Sequence, residues 1–215
     1  MSLPLTDPMP AAAELSLHAG LDEETARAEI YGVLAQLFYA PASPETLQNL
    51  RLSVTEAPVA GGFLEEPWRA LVGAARAGGD AAIANEYDAL FGGVGKPEVF
   101  LYASHYLSGF LNEKPLASLR SALADLGLGR SDTMPETEDH FAYLCEVMRF
   151  LIAGDDVAVA NLTQQKAFFA EQLQPWAARM CEVLAGHPKA NFYRTLAAFT
   201  QAFLDVETQG FDLLT

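Results

Sequence analysis

Apolar residues recur at steps of three and four along most of the chain. In the first such segment, from Asp22, this spacing places them on one face of a helix. Pro41 ends that helix, and Ser43-Pro44-Glu45 combines a capping serine with a first-turn proline, so a second helix begins there. The same pattern predicts further helices that begin near Glu66, Asp80, Leu101, Pro115, Pro135, Asp155, Pro175 and Lys189.

No segment alternates apolar and polar residues for long enough to predict a strand. We therefore expect an all-α fold: a single globular, bundle-like domain of about nine or ten helices that occupies residues 21–215. Residues 1–20 contain three prolines and no basic leader followed by an apolar stretch, which predicts a disordered tail rather than a secretory signal. Gly127, Gly129 and the polar residues after them indicate a hinge near 127–134.

Composition narrows the classes of function. Of the 215 residues, 51% are hydrophobic and 19% are charged, which excludes disorder for most of the chain. The net charge of −15 repels phosphate backbones, so nucleic acid is not an expected partner, whereas basic partners are attracted. No window approaches 18 uninterrupted apolar residues, so we expect no membrane insertion and a cytoplasmic location.

The segment that starts at Pro135 carries most of the candidate chemistry. It predicts a helix through about Ala153 that is apolar on several sides and therefore central. Its polar residues allow three interpretations: a solvated acidic cap with a hydrogen-bonded core histidine, an acidic cleft for a cationic partner, or a metal site. The polar residues concerned are Glu136, Glu138, Asp139, His140, Tyr143 and Glu146.

Two other features leave alternatives open. Gly93-Val94-Gly95-Lys96 resembles a phosphate-binding loop, but Pro97 follows the lysine and a helix precedes the glycines. The segment therefore also fits a helix–helix connection or a peptide-contact hinge. Cys145 and Cys181 lie in apolar segments without metal-ligand spacing, which indicates buried thiols or a redox pair that only proximity would establish.

Five segments in order share residues and spacing with one family. The first, Glu86-Tyr87 to Gly95, is followed by the segments 97–106, 136–148, 165–176 and 192–207. Together they resemble the TorD/DmsD-type chaperones that mature molybdenum-containing respiratory enzymes, over roughly residues 25–208. Two positions depart from the family pattern: Val94 and Thr137 stand where proline is common.

The resemblance implies an all-helical fold, no catalytic activity and no cofactor of the chaperone's own. It implies a client-specific chaperone that binds a molybdoenzyme precursor, with a formate dehydrogenase as the candidate client, through the client's twin-arginine signal peptide. The chaperone would assist cofactor insertion and assembly before export. Such proteins occur as monomers and as domain-swapped dimers, and either state is open here.

The resemblance also implies site residues, because Asp139, His140, Gly93 and Gly95 match positions tied to signal-peptide binding. An acidic patch beside aromatic side chains can hold two guanidiniums and an apolar segment. Two other functions stay open at this point: a metal-dependent hydrolase built on Asp139, His140 and Glu146, and an adaptor that carries a nucleotide or cofactor. The full predicted binding site comprises Asp139, His140, Glu138, Glu146, Tyr143, Gly93, Gly95 and Tyr87.

Overall fold

A computed structural model describes residues 23–55, 62–92, 96–111, 114–130 and 134–213. These residues form ten α-helices and no strand, which confirms the predicted all-α fold. A π-helical turn at Phe169–Leu173 continues the eighth helix. The helices are α1 (Glu23–Tyr39), α2 (Pro44–Leu52), α3 (Glu65–Ala77), α4 (Asp80–Leu90), α5 (Ala103–Ser108), α6 (Lys114–Asp125), α7 (Phe141–Ala153), α8 (Leu162–Phe168), α9 (Ala177–Gly186) and α10 (Phe192–Asp212).

Helix α7 lies at the centre of the bundle. It packs along α1 on one side and against α8 on another, while α10 packs against α9, α3 and α4. Most side chains of α7 are buried in one continuous hydrophobic core, as its apolar residues on several sides predict. The short helix α5 lies beside α6 and α9, and this packing brings the α5 region close to the residues that precede α7.

Polar side chains close several helix ends. Ser43 accepts a hydrogen bond from the Thr46 N–H at 3.0 Å, which confirms the predicted start of α2. Glu86 of α4 caps the N-terminus of α10, although the two lie more than a hundred residues apart in sequence. Its carboxylate accepts bonds from the N–H groups of Asn191, Phe192 and Tyr193 at 2.8, 3.1 and 2.8 Å. A negative charge at a helix N-terminus is favourable, so Glu86 ties α4 to the start of α10.

A buried ion pair joins the first and last helices. Arg27 of α1 donates two hydrogen bonds to the Glu207 carboxylate of α10, at 2.6 and 2.9 Å. Its third contact goes to the Gln165 side-chain oxygen of α8 at 3.0 Å. Tyr31 donates its hydroxyl proton to the same Glu207 carboxylate at 2.9 Å. Three helices distant in sequence are therefore fastened around one carboxylate.

Two predicted helix starts are wrong. Helix α7 begins at Phe141 rather than at Pro135, because the residues before it pair with the α5 region: Phe141 N–H donates to the Leu101 carbonyl at 2.7 Å. Helix α8 begins at Leu162 rather than at Asp155. Asn161 supplies its cap, accepting a hydrogen bond from the Gln164 N–H at 3.1 Å.

Some predictions fall where the structure gives no description. The predicted tail at residues 1–20 and positions 131–133 of the predicted hinge lie outside the described residues. Gly127, at the described end of that hinge, has a φ of +70°, a left-handed conformation that favours glycine. Among the described residues, no helix is both long enough and apolar enough to span a membrane.

Candidate functional site

Asp139 holds the turn that leads into α7. Its side chain is fully buried, and Oδ2 accepts a hydrogen bond from the Ser104 N–H at 2.9 Å. Oδ1 accepts from the Thr137 hydroxyl at 2.6 Å, and the Asp139 carbonyl accepts from the Ala103 N–H at 3.0 Å. All three bonds are internal, so the contribution of Asp139 in this conformation is to position the residues around it.

His140 follows directly and caps α7. Its Nδ1 accepts a hydrogen bond from the Ala142 N–H at 3.2 Å, so the neutral ring carries its proton on Nε2. The ring is buried and meets Tyr102 edge-on, with centroids 5.0 Å apart. Burial lowers the pKa of His140 to about 4, so the ring is uncharged at neutral pH. The neutral ring therefore does not repel a positively charged ligand.

Glu136, which the predicted site left out, stands at the centre of an acidic and aromatic group. The Tyr102 hydroxyl donates a short hydrogen bond to its Oε2. Burial, followed by the charge of Glu136, raises the pKa of Tyr87, and burial together with the Glu136 hydrogen bond raises that of Tyr102. Tyr143 lies on the same side, its ring 5.7 Å from that of His140. We call Glu136, Tyr87, Tyr102, Tyr143 and His140 the Glu136 cluster.

Negative charge dominates around this cluster. The charged neighbours that shift the pKa of Tyr87, Tyr102 and His140 are acids: Glu136 for all three, Asp88 for Tyr87, and Asp139 for Tyr102 and His140. Glu136 itself is only half-buried, so part of the residue is open to a ligand. Tyrosine faces and a carboxylate together suit a guanidinium, through cation–π contact and charge-assisted hydrogen bonds.

Tyr87 brings α4 into the cluster. Its hydroxyl donates to the Phe38 carbonyl at 3.2 Å, and its half-buried ring packs edge-on against Phe91 at 5.0 Å and Tyr193 at 5.8 Å. Two residues of the predicted site, Gly93 and Gly95, follow this helix but lie outside the described residues. The predicted site omitted two members of the cluster, Tyr102 and Glu136. The sequence carried a signal for both, because they fall within the segments that resemble the chaperone family.

Glu138 pairs with an arginine of the protein itself and does not belong to the Glu136 cluster. It is buried and accepts two hydrogen bonds from the Arg120 guanidinium of α6, both at 2.9 Å. Burial raises the pKa of Glu138, but the Arg120 bonds outweigh this effect, and the resulting pKa lies below its usual value. Glu138 is therefore neutralised by an internal partner, and the turn before α7 is fastened to α6.

Glu146 lies further along α7 than the Glu136 cluster, and its side chain lines a groove. This groove, of about 270 Å³, runs between α7 and the chain that leaves α6, and we call it the α6–α7 groove. Glu138 and Tyr143 also line it, so Tyr143 belongs both to the Glu136 cluster and to the groove wall. The residues around the groove are Leu123, Leu128, Gly129, Arg130, Met134, Glu138, Tyr143, Glu146, Val147, Arg149, Phe150, Ala153 and Gly154.

The predicted site residues thus separate into groups. Tyr87, His140 and Tyr143 meet at the Glu136 cluster, Asp139 supports it from inside, and Glu138 and Glu146 line the groove. In the part of the chain that the structure describes, no three His, Cys, Asp or Glu side chains lie close enough together to hold a metal ion. Asp139, His140 and Glu146 therefore do not form the metal site that a hydrolase would need.

Comparison with known proteins identifies the family. A family model described as nitrate reductase delta subunit matches residues 62–182, more than half of the chain. The chaperone protein TorD of Aliivibrio fischeri (strain ATCC 700601 / ES114) is 27% identical over 202 residues, which cover 85% of this chain and 93% of that protein. The chaperone protein TorD of Aliivibrio salmonicida (strain LFI1238) is 27% identical over 127 residues, covering 55% and 59%.

These matches define a class of protein that binds other proteins. The chain belongs to the nitrate reductase delta subunit family, and its resemblance to TorD/DmsD-type chaperones is confirmed. Both relatives are named chaperones, which bears out the prediction that this chain is a chaperone rather than an enzyme.

Proposed function

We propose that this chain is a client-specific cytoplasmic chaperone. It binds the precursor of a molybdoenzyme through the twin-arginine signal peptide of that client and assists cofactor insertion and assembly before export. The family match and the chaperone relatives support the chaperone role. The Glu136 cluster is the observation that supports recognition of the arginines, because it offers one reachable carboxylate among tyrosine rings and a neutral histidine.

Each member of the cluster has a part in this proposal. Glu136 accepts hydrogen bonds from a client guanidinium, and the faces of Tyr87 and Tyr143 contact the same cation. Tyr102 holds one oxygen of Glu136 in place through its hydroxyl. Asp139 and His140 act as positioning residues, since Asp139 is fully buried and His140 caps α7. Gly93 and Gly95 remain proposed contributors on the resemblance alone.

The decisive experiment is a calorimetric titration with a synthetic twin-arginine signal peptide from a molybdoenzyme precursor. Charged hydrogen bonds contribute about 1.5–3 kcal/mol each, so Glu136→Gln should weaken binding about ten- to a hundredfold. Replacing both peptide arginines by lysine should weaken binding to the wild type, since lysine lacks the planar fork of donors. Equal affinity of wild type and Glu136→Gln for the arginine peptide would remove Glu136 from the site.

A matched control makes the same change in net charge at a position away from the Glu136 cluster. Glu182 of α9 is exposed and pairs with Arg179 in the same helix at 2.7 Å. Glu182→Gln also removes one negative charge from the total of −15. We expect this variant to bind the peptide as the wild type does. A comparable loss of affinity in both variants would mean that net charge, rather than the cluster, governs binding.

Ionic strength tests the contribution of the protein's overall field. A net charge of −15 steers a dibasic peptide, and salt screens exposed charges beyond about 10 Å at 0.1 M. The association rate measured by stopped flow should therefore fall as salt is raised from low concentration to about 0.5 M, a change that shortens the Debye length severalfold. A salt-independent association rate would indicate recognition by apolar contacts alone.

The identity of the client and the oligomeric state are further parts of the proposal. The client is predicted to be a molybdoenzyme, with a formate dehydrogenase as the specific candidate. Affinity capture from anaerobically grown cells of the native host, followed by mass spectrometry, identifies the client. Light scattering on the purified protein distinguishes the monomer from a domain-swapped dimer.

A further inference from the structure

Tyr87 is the member of the Glu136 cluster that α4 contributes. Its ring also meets α10, because it packs edge-on against Tyr193 with the ring centroids 5.8 Å apart. Phe91, at the C-terminal end of α4, packs against both rings, at 5.0 Å from Tyr87 and 5.1 Å from Tyr193. The place of the Tyr87 ring beside Glu136 therefore depends on how α4 sits on the first turn of α10.

Glu86, the neighbour of Tyr87 in sequence, fixes that arrangement. Its Oε1 accepts hydrogen bonds from the N–H groups of Asn191 and Tyr193, and its Oε2 accepts one from Phe192. N–H groups at the start of a helix lack an acceptor within their own helix. Tyr193 is thus held twice by α4, since its backbone bonds to Glu86 and its ring packs against Tyr87.

Helix α10 differs from α2, α7 and α8 in the origin of its cap. The N-cap residues Ser43, His140 and Asn161 accept the capping bonds of those three helices with their own side chains. Asn191 stands at the same position of α10 and is a favourable residue there, but its side chain makes no capping bond. Its ψ of −76° also departs from the extended backbone usual at an N-cap. A cap taken from α4 fixes one helix relative to another, which a local cap does not do.

Both carboxylate oxygens of Glu86 are engaged by α10. Three N–H donors and the positive end of the helix compensate its charge. Glu136, by comparison, is half-buried and accepts the Tyr102 hydroxyl at Oε2. A client arginine is therefore better bonded by Glu136, and Glu86 affects its binding through the residues that it positions.

Tyr87 is held at both ends of its side chain. Its hydroxyl donates to the Phe38 carbonyl of α1 at 3.2 Å, and its backbone belongs to the turn that Glu86 fastens. With the hydroxyl held by α1, a shift of α4 on α10 turns the ring about that end. A cation–π contact requires the cation over the ring face within about 6 Å of its centre, so such a turn weakens the contact.

We infer that Glu86 is a positioning residue for recognition of the client arginine: by fastening α4 to the first turn of α10, it holds the face of Tyr87 beside Glu136. This inference rests on the proposed function and adds a residue that the predicted site left out. Glu86 does not touch the client, whereas Tyr87 and Glu136 do. Loss of Glu86 should therefore change peptide affinity through Tyr87 and leave binding by Glu136 in place.

The test compares Glu86→Gln with two other single variants. Glutamine keeps the size of the side chain but removes the charge and one of the two acceptor oxygens. Glu86→Asp keeps the charge on a side chain that is shorter by one methylene. Ser43→Ala is the control for stability, because it removes the N-cap bond of α2 instead. Melting temperatures are recorded first, and each protein is then titrated with the twin-arginine signal peptide well below the lowest of them.

Glu86→Gln should bind the peptide about tenfold more weakly than the wild type, a change of the size of one cation–π contact. Glu86→Asp should bind with an affinity between the two, since it retains a carboxylate for the start of α10. Ser43→Ala should lower the melting temperature without changing the affinity. If Glu86→Gln binds as the wild type does, or if Ser43→Ala loses as much affinity, Glu86 is a structural cap alone; the inference is then overturned and the proposed function stands.

A double-mutant cycle with Tyr87→Leu separates positioning from capping. In this background Glu86→Gln should cost no further affinity, because the ring that it positions is gone, whereas its effect on the melting temperature should persist. The same loss of affinity with and without the Tyr87 ring would overturn the inference, since Glu86 would then act by another route. If Tyr87→Leu alone binds as the wild type does, the inference fails, while Glu136→Gln still tests the proposed function. If the wild type binds no peptide, both the proposed function and the inference fail.

Discussion

The Asp139 carboxylate accepts a hydrogen bond from the Ser104 backbone N–H at 2.9 Å, across 35 residues of sequence. This bond joins the start of α5 to the turn before α7, and the Phe141 N–H to Leu101 carbonyl bond at 2.7 Å reinforces the same junction. The Glu136 cluster lies beside this junction, because Tyr102 is contributed from one side and Glu136 and His140 from the other. The geometry of the proposed cation site therefore depends on a buried aspartate that does not itself reach the ligand.

Asp139→Asn should destabilise the protein. The asparagine amide keeps the size of the side chain but removes the negative charge, so the bonds with the Ser104 N–H and the Thr137 hydroxyl lose their charge-assisted strength. Hydrogen bonds to charged groups contribute about 1.5–3 kcal/mol each and neutral ones about 1 kcal/mol, so we expect a loss of about 1–2 kcal/mol, which urea unfolding will measure. The control is Asp155→Asn at an exposed position, which should leave stability unchanged. An Asp139→Asn variant as stable as the wild type would contradict the internal role.

Peptide affinity of the same variant separates positioning from stability alone. If Asp139 positions the Glu136 cluster, the folded fraction of Asp139→Asn should bind the twin-arginine peptide more weakly than the wild type does. Its loss of affinity should be smaller in the Glu136→Gln background, because the two changes act on one site. Unaltered affinity of the folded fraction would make Asp139 a purely structural residue.

His140 should make stability depend on pH on the acid side of neutrality. Burial lowers its pKa to about 4 in the folded protein, against about 6.5 in an unfolded chain. Because the unfolded state binds the proton more tightly, the contribution is fully present above pH 6.5 and is lost as pH falls from 6.5 to about 4. The shift corresponds to about 3 kcal/mol.

The variant His140→Asn isolates this contribution. Asparagine is a good N-cap, so α7 keeps its first hydrogen bond while the titrating ring is removed. Unfolding free energies measured from pH 7.5 to 4 should fall less steeply for the variant than for the wild type. Parallel curves for the two proteins would mean that His140 does not titrate within this range.

Arg27 and Glu207 should show strong coupling in a double-mutant cycle. Their side chains are 15% and 3% exposed, so removing one partner leaves the other charge buried. Glu207→Leu alone should cost about 3–5 kcal/mol, whereas the pair Arg27→Met and Glu207→Leu should cost clearly less than the sum of the single changes. Additive losses in urea unfolding would show that the pair contributes no joint stability.

Glu146→Gln should stabilise the protein at neutral pH. Burial raises the pKa of Glu146, so the folded state resists its ionisation; this cost is absent below the unfolded value near 4.5 and grows as pH rises through the folded pKa. The melting temperature of the variant should exceed that of the wild type at pH 7.5, and the two should converge near pH 4. A variant less stable than the wild type at pH 7.5 would indicate that the charged form is well paired.

The sequence by itself determined the helical fold, because the spacing of apolar residues depends only on the period of a helix. Capping residues such as Ser43 also marked a helix start correctly, since the cap and the N–H that it bonds are neighbours in sequence. The resemblance to a chaperone family likewise rested on residues and their order. Local patterns sufficed for these features because the interactions that produce them are local.

Only the tertiary structure decided which polar residues are free to meet a ligand. Asp139 and Glu138 look like exposed acids at a helix start, yet their bonds to Ser104 and Arg120 bury them. Helix α7 also begins at Phe141, six residues later than predicted, because the residues before it pair with the α5 region. Glu86 caps α10 from another helix, over more than a hundred residues. A carboxylate's role depends on which donor reaches it in space, and distant donors are brought there by packing that no local pattern records.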